Sequence, residues 1–360
     1  MIISAEYYQA VYLLIVTLLS IFVMQKYSQR VLSKENRTKT AESLIAFLVC
    51  VFMIFFIGTR PVSGRYFVDM DGYNENYSVI LGEYFIFDNT AENLFFDNWF
   101  AWMASKYIDI TVVFVIFASI YFGMMLIACR KLFPKDTLLA FIVCLAAFST
   151  FSYGTNGMKA GMATSTFLVA LAFYEKWWLS IPIALFTFGQ HHSMVLVIAS
   201  YFLVLLVKNP KYYFWGWLAS FFIAALHITA FQVFFAGFTD EHGAGYLLSG
   251  RNSGFRIDFI LYSTVPVVTG YLTVFKYRLL RSRTYYVLLN LYLTTNAFWM
   301  LCMYSDFTNR ISYLSWFLYP IVLLYPFVNF KWHQKQATYL KYVVYGHLGF
   351  TLFMSIIYYG

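Results

Sequence analysis

Only 12% of the 360 residues are charged, so each charge set in apolar sequence is conspicuous. Arg60, Lys159 and Arg310 each stand at the end of an apolar run. An unpaired charge there is expensive, and a functional role is the default reading. Lys159 falls in the first turn of a predicted helix, after Tyr153-Gly154-Thr155-Asn156-Gly157-Met158. Free backbone N–H groups already favour an anion at that place. The competing reading is a lysine snorkelling to lipid headgroups. Arg251 and Arg256, with Gly250 and Gly254 beside them, have the make-up of a loop that wraps a phosphate. Arg310 follows Asp306 by four residues, so a simple intrahelical ion pair competes with a ligand role. Arg65 and Lys106 read as local salt bridges with the acids crowded around them.

The adjacent pair His191 and His192, followed by Ser193, interrupts an apolar stretch. Imidazole titrates near neutral pH and suits a general base. No carboxylate flanks the pair in sequence, which puts metal binding well behind, and no cofactor motif is visible. The isolated His227 and His347 read as polar residues satisfied inside a helix bundle. Asp69, Asp71, Tyr73, Asn74 and Tyr77 precede a run that includes Phe95, Phe96, Trp99, Phe100 and Trp102. Such a cluster over an aromatic platform suits carbohydrate: hydroxyls take hydrogen bonds, and sugar faces stack on rings. Aromatic belts are also ordinary membrane anatomy.

The elements that must hold these residues follow from composition. Hydrophobic residues make up 61% of the chain and aromatics 22%. Soluble domains carry about 25% charged residues, twice the fraction here. The expected fold class is therefore an all-α polytopic membrane protein, and soluble enzyme folds are excluded. Runs of suitable length and apolarity occur at 8–24, 42–58, 110–128, 138–152, 160–174, 178–189, 193–207, 212–236, 258–275, 285–303, 311–330 and 342–359. That gives about 12 transmembrane helices in a single integral membrane domain, 1–360. Its exterior loops are 59–109 and 237–257, and the aromatic part of 59–109 is predicted to form interfacial helices. Every odd-numbered span ends in a basic connection, which places 18 of the 25 basic residues on one side. The positive-inside rule makes that side cytoplasmic and both termini exterior. If 177–207 were one span, the split would be 12 against 13 and the bias would vanish. The segment 178–207 is therefore read as a short helix hairpin with His191 and His192 at its outward turn. The net charge of +8 is then mostly topological. It is no argument for nucleic acid.

In this order, the pieces resemble the EpsG branch of the Wzy-like polysaccharide polymerases of bacterial envelopes. The resemblance rests on Gly58-Thr59-Arg60, the Asp69/Tyr73/Tyr77 run and Asn156-Gly157 before a basic residue. It rests further on His191-x-Ser193 and on Asn309-Arg310 opening a late span. The family usually has Arg where this chain has Lys159, and Lys is a point charge without the bidentate fork. The resemblance implies a metal-independent glycosyl transfer at the outer face of the cytoplasmic (inner) membrane. It would join oligosaccharide repeat units carried on undecaprenyl diphosphate, with a chain-length regulator as a further partner. It implies Arg60, Lys159, Arg251, Arg256 and Arg310 as diphosphate ligands. His191 is the implied base, with His192 and Asp69 as alternates, and Asp71, Tyr73, Tyr77, Asn156 and Asn309 are the implied sugar contacts. Rival readings are another lipid-carrier glycosyltransferase, an O-antigen ligase and a polysaccharide flippase. A transporter would favour charges at the midplane and matching halves, which this sequence lacks.

Overall fold

The computed structural model describes residues 3–33, 39–237, 241–249, 254–278, 281–331 and 334–358, and it is all-helical, with no strand among them. Two compact units are present. The first comprises Met1–Val195 and Phe327–Gly360, and the second Leu196–Pro326.

The first unit opens with α1 (Tyr8–Ser33) and α2 (Lys39–Gly58). Within the long polar-aromatic segment lie α3 (Val68–Ile80) and α4 (Leu94–Ser105), so about half of 59–109 is helical. Next come α5 (Ile110–Leu132), α6 (Thr137–Leu145), α7 (Phe148–Thr155), α8 (Met158–Ala172) and α9 (Trp177–Gln190). Asp109 caps α5 by accepting from the Thr111 N–H at 2.8 Å. Arg130 and Lys131 in its last turn suit the negative end of the helix dipole. All nine residues of α6 are buried, and α7 departs from it by 74°. The break frees carbonyls that an apolar medium cannot hydrate, and Thr150 Oγ1 satisfies that of Cys144 at 2.7 Å. A Cβ added to Gly161 of α8 would stand 2.6 Å from the Tyr153 carbonyl oxygen, so glycine sets how closely α7 and α8 approach.

The second unit begins inside α10 (Met194–Leu206). It continues with α11 (Pro210–Ala225), α12 (Ala230–Ala236), α13 (Glu241–Leu248) and α14 (Ile257–Gly270), which a π-helical turn prolongs to Lys276. It ends with α15 (Arg283–Leu301), α16 (Thr308–Trp316) and most of α17 (Tyr319–Asn329). Asn209 and Ser282 cap α11 and α15, and Pro210 starts α11 where its missing N–H costs nothing. Buried Asn296 ties α15 to its neighbours: it accepts from Trp217 Nε1 at 2.8 Å and donates to Ser263 and Ser315 at 3.0 Å. The chain returns to the first unit and closes with α18 (Gln336–Phe353), which packs on α1. There His347 is buried against the Val143 carbonyl at 3.1 Å, the packed imidazole the sequence suggested, whereas His227, read the same way, is exposed at the break after α11.

Among the described residues, five helical stretches are long and apolar enough to cross a membrane: Ala5–Tyr27, Ile110–Leu132, Ile257–Lys276, Thr308–Asn329 and Gln336–Tyr358. Counting each bent pair (α6–α7 and α11–α12) as one span brings the number to seven. Length and composition thus support five to seven spans, where sequence runs suggested about 12. Three more apolar helices, Glu42–Gly58, Met158–Ala172 and Met194–Leu206, are shorter. The difference has physical causes. Apolar runs bridge helix breaks at Ala146–Ala147 and at 226–229. α15 is long enough, but Asn290, Thr294, Thr295 and Asn296 make it less apolar.

Candidate functional site

In the first unit, α3, α4 and α5 meet through rings. Asp69, Tyr73 and Tyr77 lie four residues apart and so share one face of α3. Tyr73 packs on Phe96 and Phe100, with centroids 5.9 and 6.1 Å away. Tyr77 packs on Phe100 at 4.9 Å, and Phe96 on Phe117 at 5.1 Å. These rings therefore pack as one cluster, and its two tyrosines differ in burial. Tyr73 is half-buried, whereas Tyr77 is buried and donates its hydroxyl to the Ile108 carbonyl at 2.8 Å. That burial pushes the Tyr77 phenol above its ordinary pKa, with Asp109 adding to the effect. Asp69 and Asp71 are half-buried in the first turn of α3, and the Asp71 carboxylate lies against Gly64.

Lys159, in the first turn of α8, reaches this platform. Its ammonium lies 4.6 Å from the Phe96 centroid and 5.7 Å from that of Tyr73. It also bonds Asp97 Oδ1 at 2.8 Å. The other oxygen of Asp97 accepts from the Asn93 N–H at 3.0 Å and from Asn93 Nδ2 at 3.3 Å. Asn93 Oδ1 in turn accepts from the His192 backbone N–H at 3.0 Å. A continuous polar chain thus links Lys159 to the histidine turn.

That turn, 191–193, breaks the apolar stretch at the place expected, between α9 and α10. The His191 and His192 rings stack, with centroids 5.4 Å apart. His192 Nδ1 lies 3.0 Å from Glu92 Oε1. His191 Nδ1 lies 2.7 Å from Ser193 Oγ and accepts from the Ser193 N–H at 3.2 Å. The backbone bond requires a lone pair on Nδ1, so that nitrogen is the basic one. Phe95 of α4 stacks on Phe186 of α9 at 4.8 Å and fills the space a Cβ on Gly189 would need. The ring contact fixes the histidine turn relative to the platform.

Arg60 follows α2 and is only 3% exposed. Its guanidinium donates to the carbonyls of Ile57 and Thr155 and approaches Met158 Sδ at 3.3 Å. Phe67 and Phe114 lie on its faces at 5.4 and 5.7 Å. Burial pulls its pKa down to about 9, partly opposed by Tyr8, so it stays cationic at neutral pH. Arg60 therefore reaches the α7–α8 corner as a buried charge against Thr155 and Met158, and its Nε has no hydrogen-bond partner. At the same corner Asn156 closes α7, and its Oδ1 is buried without a partner. The Oε1 of Gln190, just before His191, is in the same condition. Each such atom costs free energy until something donates to it.

The remaining sequence candidates lie in the second unit. Arg256 forms a bidentate pair with Asp258 (Nη2–Oδ2 2.6 Å, Nε–Oδ1 3.0 Å) and stacks over Phe259 at 3.5 Å. Asp306 accepts from Ser249 Oγ, which brings the end of α13 to the turn before α16. Phe307 caps α16 in the left-handed region (φ 51°), a strained conformation for a bulky residue. Asn309 and exposed Arg310 follow in the first turn, with the Arg310 guanidinium 4.8 Å from the Phe307 centroid. Arg251 lies outside the described residues.

Sequence reasoning missed Asp97, Asn93 and Glu92, which join the predicted pieces. The only signal was their place among the acids and amides of 69–109.

The EpsG family model matches residues 43–359, and the chain belongs to that family. No curated protein and no solved structure matches it. Membership and several long apolar helices make it a multi-pass membrane protein.

Proposed function

We propose that this EpsG family protein is a polysaccharide polymerase that joins undecaprenyl-diphosphate-linked oligosaccharide repeat units. It works at the outer face of the bacterial cytoplasmic membrane. The basic connections face the cytoplasm, both termini lie outside, and the shorter helices raise the crossings toward 12. The observation that carries the reading is the coupling of Lys159 to the His191–His192 turn through Asp97 and Asn93, beside the Tyr73 platform.

The hydroxyl of one lipid-linked unit attacks the anomeric carbon of the chain on a second carrier. A C–O bond forms there as the bond to the diphosphate oxygen breaks, and lipid diphosphate leaves with the electron pair. Lys159 contacts the diphosphate, and Arg60 behind it adds fixed positive charge where negative charge grows. His191 Nδ1 accepts the hydroxyl proton, the incoming sugar taking the place of Ser193 Oγ. His192 and Asp69 are the alternate bases. Tyr73, Asp71 and Asn156 contact sugar, and Tyr77 supports the platform from beneath. The family resemblance also assigns Arg251, Arg256 and Arg310 to diphosphate and Asn309 to sugar.

The test is polymer length in cells. His191→Ala, at the wild-type protein level, is expected to leave single repeat units on the carrier. Arg310→Ala is a separate test with the same expected result. Long chains persisting in His191→Ala overturn the assignment of the base. A second reading, a lipid-linked sugar flippase, is favoured by the bent α6–α7 pair. Purified protein in detergent separates the two. A polymerase lengthens synthetic lipid-linked repeat units there, whereas a flippase has no sides to work between and leaves them unchanged.

A further inference from the structure

The second unit carries a basic cavity that the proposed reaction does not use. It has a volume of about 160 Å³ and lies where the end of α10 meets the start of α15. Lys208, Arg281 and Arg283 line it, and none of the three has a carboxylate partner among the described residues. Basic residues that only orient a chain can lie anywhere in a connection. These three converge on one space. Asn290 lines the same space: it is 1% exposed, and its Oδ1 has no hydrogen-bond partner. Arg283 stands in the first turn of α15, where the helix dipole already favours an anion.

A second cavity, of about 390 Å³, continues along the same helices. The α15 residues lining the two follow one stripe: 283, 286, 287 and 290 in the first, then 293, 294, 297, 298 and 301 in the second. Steps of three and four residues keep them on one face. The second space is apolar, walled by Val207, Tyr212, Trp217, Leu293, Ala297 and Phe298. The bond from Trp217 to Asn296 sets its level: the groove runs beside the first turns of α11, just past the Lys208 connection. From Asn290 to Phe298 the helix rises about 12 Å. That is close to half of the roughly 30 Å hydrocarbon thickness of a bilayer.

We propose that these two cavities form one binding site for an anionic glycerophospholipid. The phosphodiester headgroup sits among Lys208, Arg281 and Arg283, with a headgroup hydroxyl donating to Asn290 Oδ1. One acyl chain descends the groove along α15. Charge complementarity at the head and a groove one leaflet deep fit this occupant. The site is also separate from the Asp306–Arg310 region. α15 puts about 27 Å between Arg283 and Leu301, and that region follows Leu301. Guanidinium groups grip phosphate oxygens in pairs, and each surface cation adds to the attraction of anionic lipid.

The test is native mass spectrometry of the full-length protein in detergent, titrated with phosphatidylglycerol and with phosphatidylcholine of the same chains. The wild type is expected to prefer phosphatidylglycerol by at least about tenfold. The triple variant Lys208→Gln/Arg281→Gln/Arg283→Gln is expected to lose that preference. Gly216→Leu probes the groove independently. Gly216 lines it, and a Cβ there meets nothing within 4 Å, so a longer side chain starts without a clash beside that space, and thermal unfolding in detergent checks that the variant is folded. It is expected to weaken both lipids at least about tenfold while leaving the headgroup preference intact. Equal binding of the two lipids by the wild type overturns the proposal, as does a triple variant that keeps the preference. Inorganic phosphate displacing the lipid at equal concentration would make this a free-phosphate site. Tighter binding of a polyprenyl phosphate than of phosphatidylglycerol would assign it to a carrier lipid. Either result also overturns the proposal.

Discussion

Lys159 reaches Asp97 at 2.8 Å while the two side chains keep 23% and 33% of their surface exposed. An ion pair so open to solvent contributes no more than about 1 kcal/mol to stability. Its value lies in position, because Asp97 also holds Asn93, which holds the backbone at His192. Asp97→Ala is therefore expected to cut polymer synthesis by about tenfold or more, since small misplacements of reacting groups have effects of that size. Melting should fall by no more than about 4 °C. Polymer length and thermal unfolding in detergent check the two together. If activity falls only in step with folded protein, the positioning role is wrong. Lys159→Arg should stay close to wild type, because a guanidinium keeps the pair with Asp97 and adds a fork for phosphate, whereas Lys159→Met should be inactive. Lys159 and His191 were legible in the sequence because a polar group in apolar surroundings stands out. Asp97 was not, because it is one of many acids in 69–109 and nothing in their order says which one faces inward. Arg60 was legible as a charge but not in its burial. Its partners, the carbonyls of Ile57 and Thr155, are backbone groups that every residue carries.

Helix contacts carry these residues into place, and the one between α7 and α8 is glycine-dependent. Gly161 faces the Tyr153 carbonyl, a backbone atom that cannot rotate away from a new methyl group. Gly161→Ala is expected to push α8 from α7 and to destabilise the protein by about 1–3 kcal/mol. The shift would move Lys159, half a turn earlier on α8, off Asp97. Thermal unfolding reads the first effect and polymer length the second. Gly123→Ala on α5, where a Cβ meets nothing within 4 Å, is the control and should show neither loss. The sequence disclosed this contact in outline, since small residues in an apolar helix permit close approach. The long helices α5 and α14 (with its π-helical turn) were also legible, each matching an apolar run to within a few residues, whereas α1 outruns 8–24 by nine residues and α18 starts six before 342. The bent pairs were not. Hydropathy sums over a window without registering direction, and the 74° turn between α6 and α7 leaves the chain as apolar as a straight helix would.

At the level of the molecule, the charge bias and the histidine turn bear on one question, the side of the membrane each connection faces. The reading of 178–207 as two crossings keeps 18 of 25 basic residues together, and a single crossing there would divide them evenly. The helix break at 191–193 agrees with two segments, and the side is decided by accessibility. The four native cysteines are all buried, so single cysteines introduced at exposed positions report with little background. Tyr84 is 90% exposed in the segment between α3 and α4. Lys211 is exposed at the start of α11. An impermeant maleimide applied to spheroplasts is expected to label Tyr84→Cys at once and Lys211→Cys only after the membrane is opened. Labelling of both from outside would mean that 178–207 crosses once. Arg281 and Arg283 would then move to the exterior with Lys211, and the positive-inside bias would disappear. The basic cavity of the second unit would in that case face the same side as the sugar chemistry, and an anionic lipid there would have to come from the outer leaflet. The same labelling experiment therefore fixes both the orientation of the proposed polymerase reaction and the leaflet that would supply the proposed lipid.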